Sequence, residues 1–339
     1  MASLQQPEPI TLTYKSVKGN QGEQVDIPLD VYAPSHPTEP VTPVIWLHTG
    51  GLLQGTRKFI PPHLVRAVES HNLVIVAPDF RLCPQVPLVS VLADVRDCVD
   101  FLFHADRLST TISAKVKRDY VLAGSSAGGW LSSLLGLDLV SSNSSDSSLT
   151  SLRLEPAPAA VVAIYPITTV ERGLAPYFHK ALSPLPWAYS ANNKPGDVCP
   201  GEPLKEHLDK QAKVLSESPP AKNPVRATLY NYARQEGIYP SLVLRGGKET
   251  EEEVAFSVPT QIRQSNNPFN KPVFIAYGDA DIMVETEQSK LVIEALKAKN
   301  FDVQVHVEPG KSHLYDMQPE VEIPGFCDWI VKSTRGNAA

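Results

Sequence analysis

The chain has no run of lysines and arginines, no cysteine pair at CxxC spacing and no apolar stretch near the ~18 residues that a membrane span needs. Each absence excludes a class of function. Thirty-one basic residues against 37 acidic ones give a net charge of −6, so the electrostatic footprint of a phosphate-backbone binder is missing and no nucleic-acid partner is expected. The four cysteines, Cys83, Cys98, Cys199 and Cys327, are far apart and are expected to be reduced and mostly buried. Residues 1–14, MASLQQPEPITLTY, have neither a basic start nor an apolar core, which makes the cytoplasm the expected location. No His or acid cluster has metal-ligand spacing, so neither metal nor organic cofactor is expected. Proline, by contrast, is in surplus, at 31 of 339 residues, about 9% against a usual ~5%.

Two patterned strands, Ile10 to Val17 and Val25 to Tyr32, read as an antiparallel edge hairpin. Six short, mostly apolar runs follow: Pro43 to Leu47, Leu73 to Ala77, Tyr120 to Ala123, Ala159 to Tyr165, Val273 to Tyr277 and Val303 to Val307. Such runs suit strands buried on both faces. Between them lie helical patterns, clearest from Leu88 to Phe103, where apolar residues recur every three or four positions. Strands alternating with helices predict an α/β fold, an eight-stranded, mostly parallel sheet flanked by helices.

Two stretches interrupt the alternation. Ser141 to Ser151 is Ser-rich and reads as a mobile surface loop. Thr168 to Pro268 holds many prolines, several aromatics and the acidic run Glu249 to Glu253, which reads as a solvated face. It is too long for a plain connection and predicts a helical cap inserted between two strands.

The chemistry starts where the third apolar run meets Gly124-Ser125-Ser126-Ala127-Gly128-Gly129 and an apolar segment from Trp130. Strand, G-x-S-x-G, helix makes Ser126 a candidate nucleophile, with the Ala127 N–H at the helix start facing the same space. His48-Thr49-Gly50-Gly51 ends an earlier strand and offers the N–H groups of Gly50 and Gly51 to a developing oxyanion. His48 itself reads as a structural hydrogen-bonding residue. A serine needs a base, and the base an orienting carboxylate. His313 follows the last strand, and Asp279 and Asp281 follow the one before it. Asp281 is preferred because it lies further round the turn, with Asp279 as the alternative. The order Ser126, acid, His313 is that of an α/β-hydrolase.

These blocks resemble the hormone-sensitive-lipase-like carboxylesterases. His48-Thr49-Gly50-Gly51 with Gly55 is similar to the family's HGGG-x-x-x-G, Asp79-Phe80-Arg81-Leu82-Cys83-Pro84-Gln85 to its DYRLAPE with Asp94 beyond, Ser126 and its neighbours to GDSAGG, and Asp281-Ile282-Met283-Val284-Glu285 to DPLRD. The likeness runs from about residue 40 to 330. Thr49 replaces a motif glycine, Gln85 a glutamate tied into a network under the site, and Val89 a proline. The resemblance implies an α/β-hydrolase fold, a catalytic domain of residues 1–167 and 269–339, and a cap of residues 168–268 assisted by residues 1–40. It also implies a serine esterase with triad Ser126, Asp281 and His313 and oxyanion donors Gly50, Gly51 and Ala127. Leu52, Ser125, Tyr177, Trp187 and Tyr189 are candidate lining groups, with Phe178, Tyr230, Tyr232 and Tyr239 beside them. The expected partner is a small ester or thioester, free or carried on a carrier protein, as for similar hydrolases found beside fungal polyketide synthases. A binding protein on an inactive hydrolase fold is the rival from another class. Exposed edge strands and Pro324 to Thr334 are the surfaces expected to pair a homodimer.

Overall fold

A computed structural model describes residues 8–37, 40–143, 146–265 and 271–334. Eight strands, β1 (Ile10–Lys18), β2 (Gln24–Tyr32), β3 (Thr42–Leu47), β4 (Leu73–Pro78), β5 (Val121–Ser125), β6 (Ala160–Ile164), β7 (Val273–Gly278) and β8 (Val303–Glu308), form one sheet. Their order is β1-β2-β4-β3-β5-β6-β7-β8. β1 and β2 are antiparallel to their neighbours, and the pairings from β4 through β8 are parallel. All residues of β3 to β7 are buried, as the continuous apolar runs predict, whereas edge strand β8 alternates between partly buried and exposed positions.

Helices cover the sheet. Helix Leu88–Phe103 starts after Pro87 and buries Leu88, Val91, Leu92, Val95, Cys98, Val99 and Leu102 along one stripe. At roughly 1.5–3 kcal/mol for each large aliphatic side chain, that stripe is what attaches the helix. Asp94 lies buried in the same stripe and is held by Arg81 (Nε to Oδ2, 2.8 Å) and Lys15 (Nζ to Oδ1, 2.7 Å). Helix Ala127–Gly136 begins three residues before the expected Trp130, because the serine turn leads straight into it. The cysteines are free thiols, three buried and Cys327 partly exposed.

Because β3, β5, β7 and β8 are parallel, the loops after them emerge at one edge of the sheet. Those loops carry the motifs.

Between β6 and β7 no described residue belongs to a strand; the segment folds into short helices, chiefly Leu229–Glu236, Tyr239–Val243, Glu249–Ala255 and Val258–Gln264. Its interior is aromatic: Tyr177 meets Phe178 at 5.1 Å, Phe178 meets Tyr239 at 5.0 Å, and Tyr239 meets Tyr230 at 5.4 Å between ring centroids. The β1–β2 turn reaches it, with Asn20 Nδ2 donating to Lys210 O at 2.8 Å and Glu23 Oε1 accepting from Val214 N at 2.8 Å.

Two local expectations change. The acidic run is only in part a solvated face: it lies in helix Glu249–Ala255, where Glu251 is exposed but Glu252 accepts from Arg245 N (2.7 Å) and Glu253 from Arg172 N (3.0 Å), both residues buried. Part of the Ser-rich stretch is ordered as well. Asp146 caps helix Ser147–Thr150, whose Leu149 is buried. Expectations for residues 1–7, 38–39, 144–145, 266–270 and 335–339 lie outside the described residues. Among those described, no helix is long and apolar enough to cross a membrane.

Candidate active site

Ser126 follows β5 in a conformation that few non-glycine residues adopt, φ 54° and ψ −118°. The turn is tight enough to need glycine on both sides: a Cβ on Gly124 would stand 2.4 Å from the Gly128 carbonyl, and one on Gly128 would stand 2.0 Å from Leu47 O. The turn thus packs directly on β3, and the serine is thrust to the sheet edge, its N–H bonded to Ile164 O at 2.8 Å. Its side chain is nearly enclosed.

His313 Nε2 lies 3.1 Å from Ser126 Oγ, and His313 Nδ1 lies 2.6 Å from Asp281 Oδ2. Nδ1–H donating to Asp281 leaves Nε2 free to accept from the serine hydroxyl. Asp281 Oδ1 accepts from the N–H groups of Met283 and Val284, each at 3.0 Å, so the carboxylate is fixed at both oxygens. Asp279 points elsewhere. Exposed to solvent, it accepts from Gly310 N at 2.6 Å and ties the β7 loop to the β8 loop.

Gly50 and Gly51 follow β3 with φ of 117° and 63°. Neither their N–H groups nor that of Ala127 has a hydrogen-bond acceptor among the described residues, so three donors are available beside Ser126. The turn is held from several sides. His48 Nδ1 donates to Thr49 O at 2.7 Å, its ring stacks on Phe80 at 4.1 Å, and burial drives its pKa down to about 4. A neutral His48 is therefore a brace and not a base at neutral pH. From the segment between β6 and β7, Tyr239 donates its hydroxyl to Gly51 O at 3.1 Å and the Tyr230 ring lies where a Gly51 side chain would be.

Arg226 makes the strongest connection from that segment. Fully buried, its guanidinium donates to Leu53 O (2.8 Å), Cys83 O (2.8 Å) and Gln85 Oε1 (2.9 Å). Gln85 in turn donates to His207 O and Asp209 O. The glutamine thus keeps a network under the site, but Arg226 has amide oxygens instead of a carboxylate, and burial lowers its pKa to about 10. It stays cationic at neutral pH. Nothing in the sequence around Arg226 signals this role, because its partners lie 141–173 residues away.

The candidate lining groups divide. Tyr189 borders a cleft of about 650 Å³ shared with Gln54 of the loop after β3, Pro200, Pro203, Pro220 and Pro224. Tyr177 bonds to Gln288 Nε2 at 2.5 Å, and Trp187 Nε1 donates to Asn231 Oδ1 at 2.9 Å. Leu52 is buried in the core, and Ser125 is buried facing the Tyr165 hydroxyl. Tyr232 packs beside Gly201, away from the oxyanion turn. Among the described residues, no group of three potential metal ligands comes together.

Two family models match parts of the chain, BD-FAE over residues 29–181 and the dienelactone hydrolase family over residues 242–321. Curated relatives are similar at low identity: the non-reducing polyketide synthase ascC of Acremonium egyptiacum is 24% identical over 91% of this chain and 14% of that protein. Methylphloroacetophenone synthase of Cladonia uncialis is 24% identical over 87% of this chain and 12% of its own length. The chain therefore spans only about a seventh of these relatives. Among solved structures, an α/β-hydrolase superfamily protein from Enterococcus faecalis has a TM-score of 0.63 at 20% identity, covering 95% of this chain and 99% of that one. A fungal esterase from Rhizomucor miehei has a TM-score of 0.56 at 17% identity, covering 98% and 85%. With the strand order and the strained serine turn, these likenesses show that the chain has the α/β-hydrolase fold.

Proposed function

We propose that the protein is a serine hydrolase that cleaves a carboxylic ester of a small, largely apolar or aromatic substrate through an acyl-enzyme on Ser126. One observation carries the reading: Ser126, His313 and Asp281 form an unbroken chain at 3.1 and 2.6 Å. His313 Nε2 takes the Ser126 proton as Oγ attacks the ester carbonyl. The oxyanion is bound by the N–H groups of Gly50, Gly51 and Ala127. Asp281 holds the imidazole and stabilises the imidazolium, which then protonates the leaving alcohol, and water repeats the sequence on the acyl-enzyme. The motif likeness supports a hormone-sensitive-lipase-like esterase, with the segment between β6 and β7 as its cap and the Tyr189 cleft as its apolar subsite.

A second reading keeps this machinery for a carrier-bound thioester of a polyketide-type intermediate. The similarity to polyketide synthases over about nine tenths of this chain favours it. Both readings predict a fluorophosphonate adduct on Ser126. Labelling elsewhere, or undiminished hydrolysis of p-nitrophenyl butyrate by Ser126→Ala, overturns both. Faster turnover of an aromatic acyl-thioester than of short-chain esters selects the second, and the reverse selects the first.

A further inference from the structure

Behind His313 lies a buried polar cluster that the triad chemistry does not use. Tyr165, the residue after β6, lays its ring against the His313 imidazole with centroids 4.7 Å apart and planes at 61°. Its hydroxyl donates to Asp316 Oδ1, and the other Asp316 oxygen faces His63 Nε2 at 3.3 Å. Asp316 is 0% exposed, and among the described residues no lysine or arginine pairs with it. A buried carboxylate is costly to fold around unless its oxygens are paired, and here Tyr165 and His63 are the partners.

The backbone bends to build this arrangement. Tyr165 has φ 35° and Leu314 φ 62°, both left-handed without being glycine, and together they flank the histidine. The turn at Leu314 brings Asp316 under the residue three places before it in the chain. The Tyr165 N–H is anchored on Ala276 O at 2.6 Å, which sets the ring's position from β7. Burial and the neighbouring carboxylate push the phenol well above its ordinary range, so it remains a donor.

We infer that Asp316 is a positioning residue acting on His313 through Tyr165: the carboxylate holds the phenol so that its ring fixes the imidazole's tilt and presents an electron-rich surface to the imidazolium formed in acyl transfer. The two ring nitrogens of His313 are used by Asp281 and Ser126, and these bonds leave rotation about the line joining them unset. Tyr165 blocks that rotation. A phenol bonded to a carboxylate carries more negative charge on its ring, and a ring within about 6 Å attracts a cation. The groups facing the cluster are Asp281 after β7, Ser125 at the end of β5, His63 from helix Pro62–Ser70, Tyr315 in the same loop, and Glu308 at the end of β8, close enough to act on Tyr315.

The inference rests on the triad reading, and the test separates the two. For the full chain, kcat and KM for p-nitrophenyl butyrate are measured from pH 4.5 to 9 in Asp316→Asn and Tyr165→Phe, with melting temperature and Ser126 labelling as checks of folding. Removing support for the imidazolium lowers the His313 pKa, so the acid limb of kcat/KM moves to lower pH. Asp316→Asn should shift it by about half a unit or more and lower kcat about tenfold, with KM within about twofold. Tyr165→Phe keeps the ring and should move the limb the same way by a smaller amount. It carries the test if Asp316→Asn does not fold. A folded variant whose acid limb stays at the wild-type pH overturns the inference, whatever happens to kcat. Full activity of Ser126→Ala would instead overturn the triad beneath it.

Discussion

The loops at the sheet edge and the segment between β6 and β7 meet at the same turn but are built by different means. The loops hang from strands whose residues are wholly buried and mostly apolar, and what positions them is the spacing of a parallel sheet. The segment has no strand of its own among the described residues. It is held by an aromatic cluster and by buried charges, Arg226, Arg234, Glu252 and Glu253. Arg234 donates to Glu285 Oε1 at 2.5 Å and lies 4.6 Å over the Phe178 ring. Apolar area tolerates rearrangement of like for like, whereas a buried guanidinium has few directions it can face. The groups proposed to react therefore belong to the sheet, and the restraint on their surroundings comes from the segment.

The sharpest test lies on the sheet side. Asp281→Asn should keep the fold but favour the wrong imidazole tautomer, lowering kcat about 10⁴-fold, while Asp279→Asn should stay within a few fold. Steady-state hydrolysis of p-nitrophenyl butyrate distinguishes them. Equal losses would mean that the carboxylate touching His313 is not the one that serves it.

On the other side, Arg226→Met removes one cation and orphans Leu53 O, Cys83 O and Gln85 Oε1 in a buried place. A loss of roughly 2–4 kcal/mol follows from leaving such acceptors unpaired. Because Leu53 belongs to the loop proposed to bind the oxyanion, kcat should fall about 10- to 100-fold as well. Thermal melting and kinetics measure both. A variant with lowered stability and unchanged kcat would show that the segment supports the fold but not the oxyanion turn.

Most of the sheet was legible because its signals are local. A buried strand announces itself over five or six residues, and the glycine at 124 is explained by the Gly128 carbonyl that its own turn brings near, although the one at 128 answers to Leu47 O of β3. The juxtaposition of Asp281 and His313 was readable from the loops that follow β7 and β8, since parallel strands leave no other edge for them. Arg226, Tyr165 and Asp316 were not, since an arginine between valine and alanine looks the same whether it ends in solvent or in a bond 173 residues away. Glu252 and Glu253 misled for the same reason, since an acidic run reads as solvated until its cations are located.

A smaller effect concerns His48, which binds the sheet edge without reacting. In the folded chain its pKa is about 4, whereas the unfolded chain takes up that proton near 6.5. From pH 6.5 down to 4 the unfolded state binds more protons, so stability falls as pH drops through that window and levels off below it. The contribution reaches roughly 3 kcal/mol at the bottom of the window. Urea unfolding of wild type and His48→Gln at pH 7 and pH 4.5 should show a smaller pH-dependent loss in the variant. Parallel losses would mean that His48 is not held neutral by its burial.

The smallest effect separates the two kinds of charge within the acidic helix itself. Glu249 is partly exposed, and Glu252 accepts from the Arg245 N–H and guanidinium with its side chain 3% exposed. Glu249→Gln should change stability by less than about 0.5 kcal/mol, as surface substitutions do. Glu252→Gln keeps the shape but weakens a charge-assisted pair, and about 1–2 kcal/mol should be lost. Arg245 is only partly buried, so water recovers some of that interaction and the loss stays below that of Arg226→Met. If the two glutamates respond alike in thermal melts, the segment is not held by its buried charges, and the contrast with the sheet reduces to one of secondary structure alone.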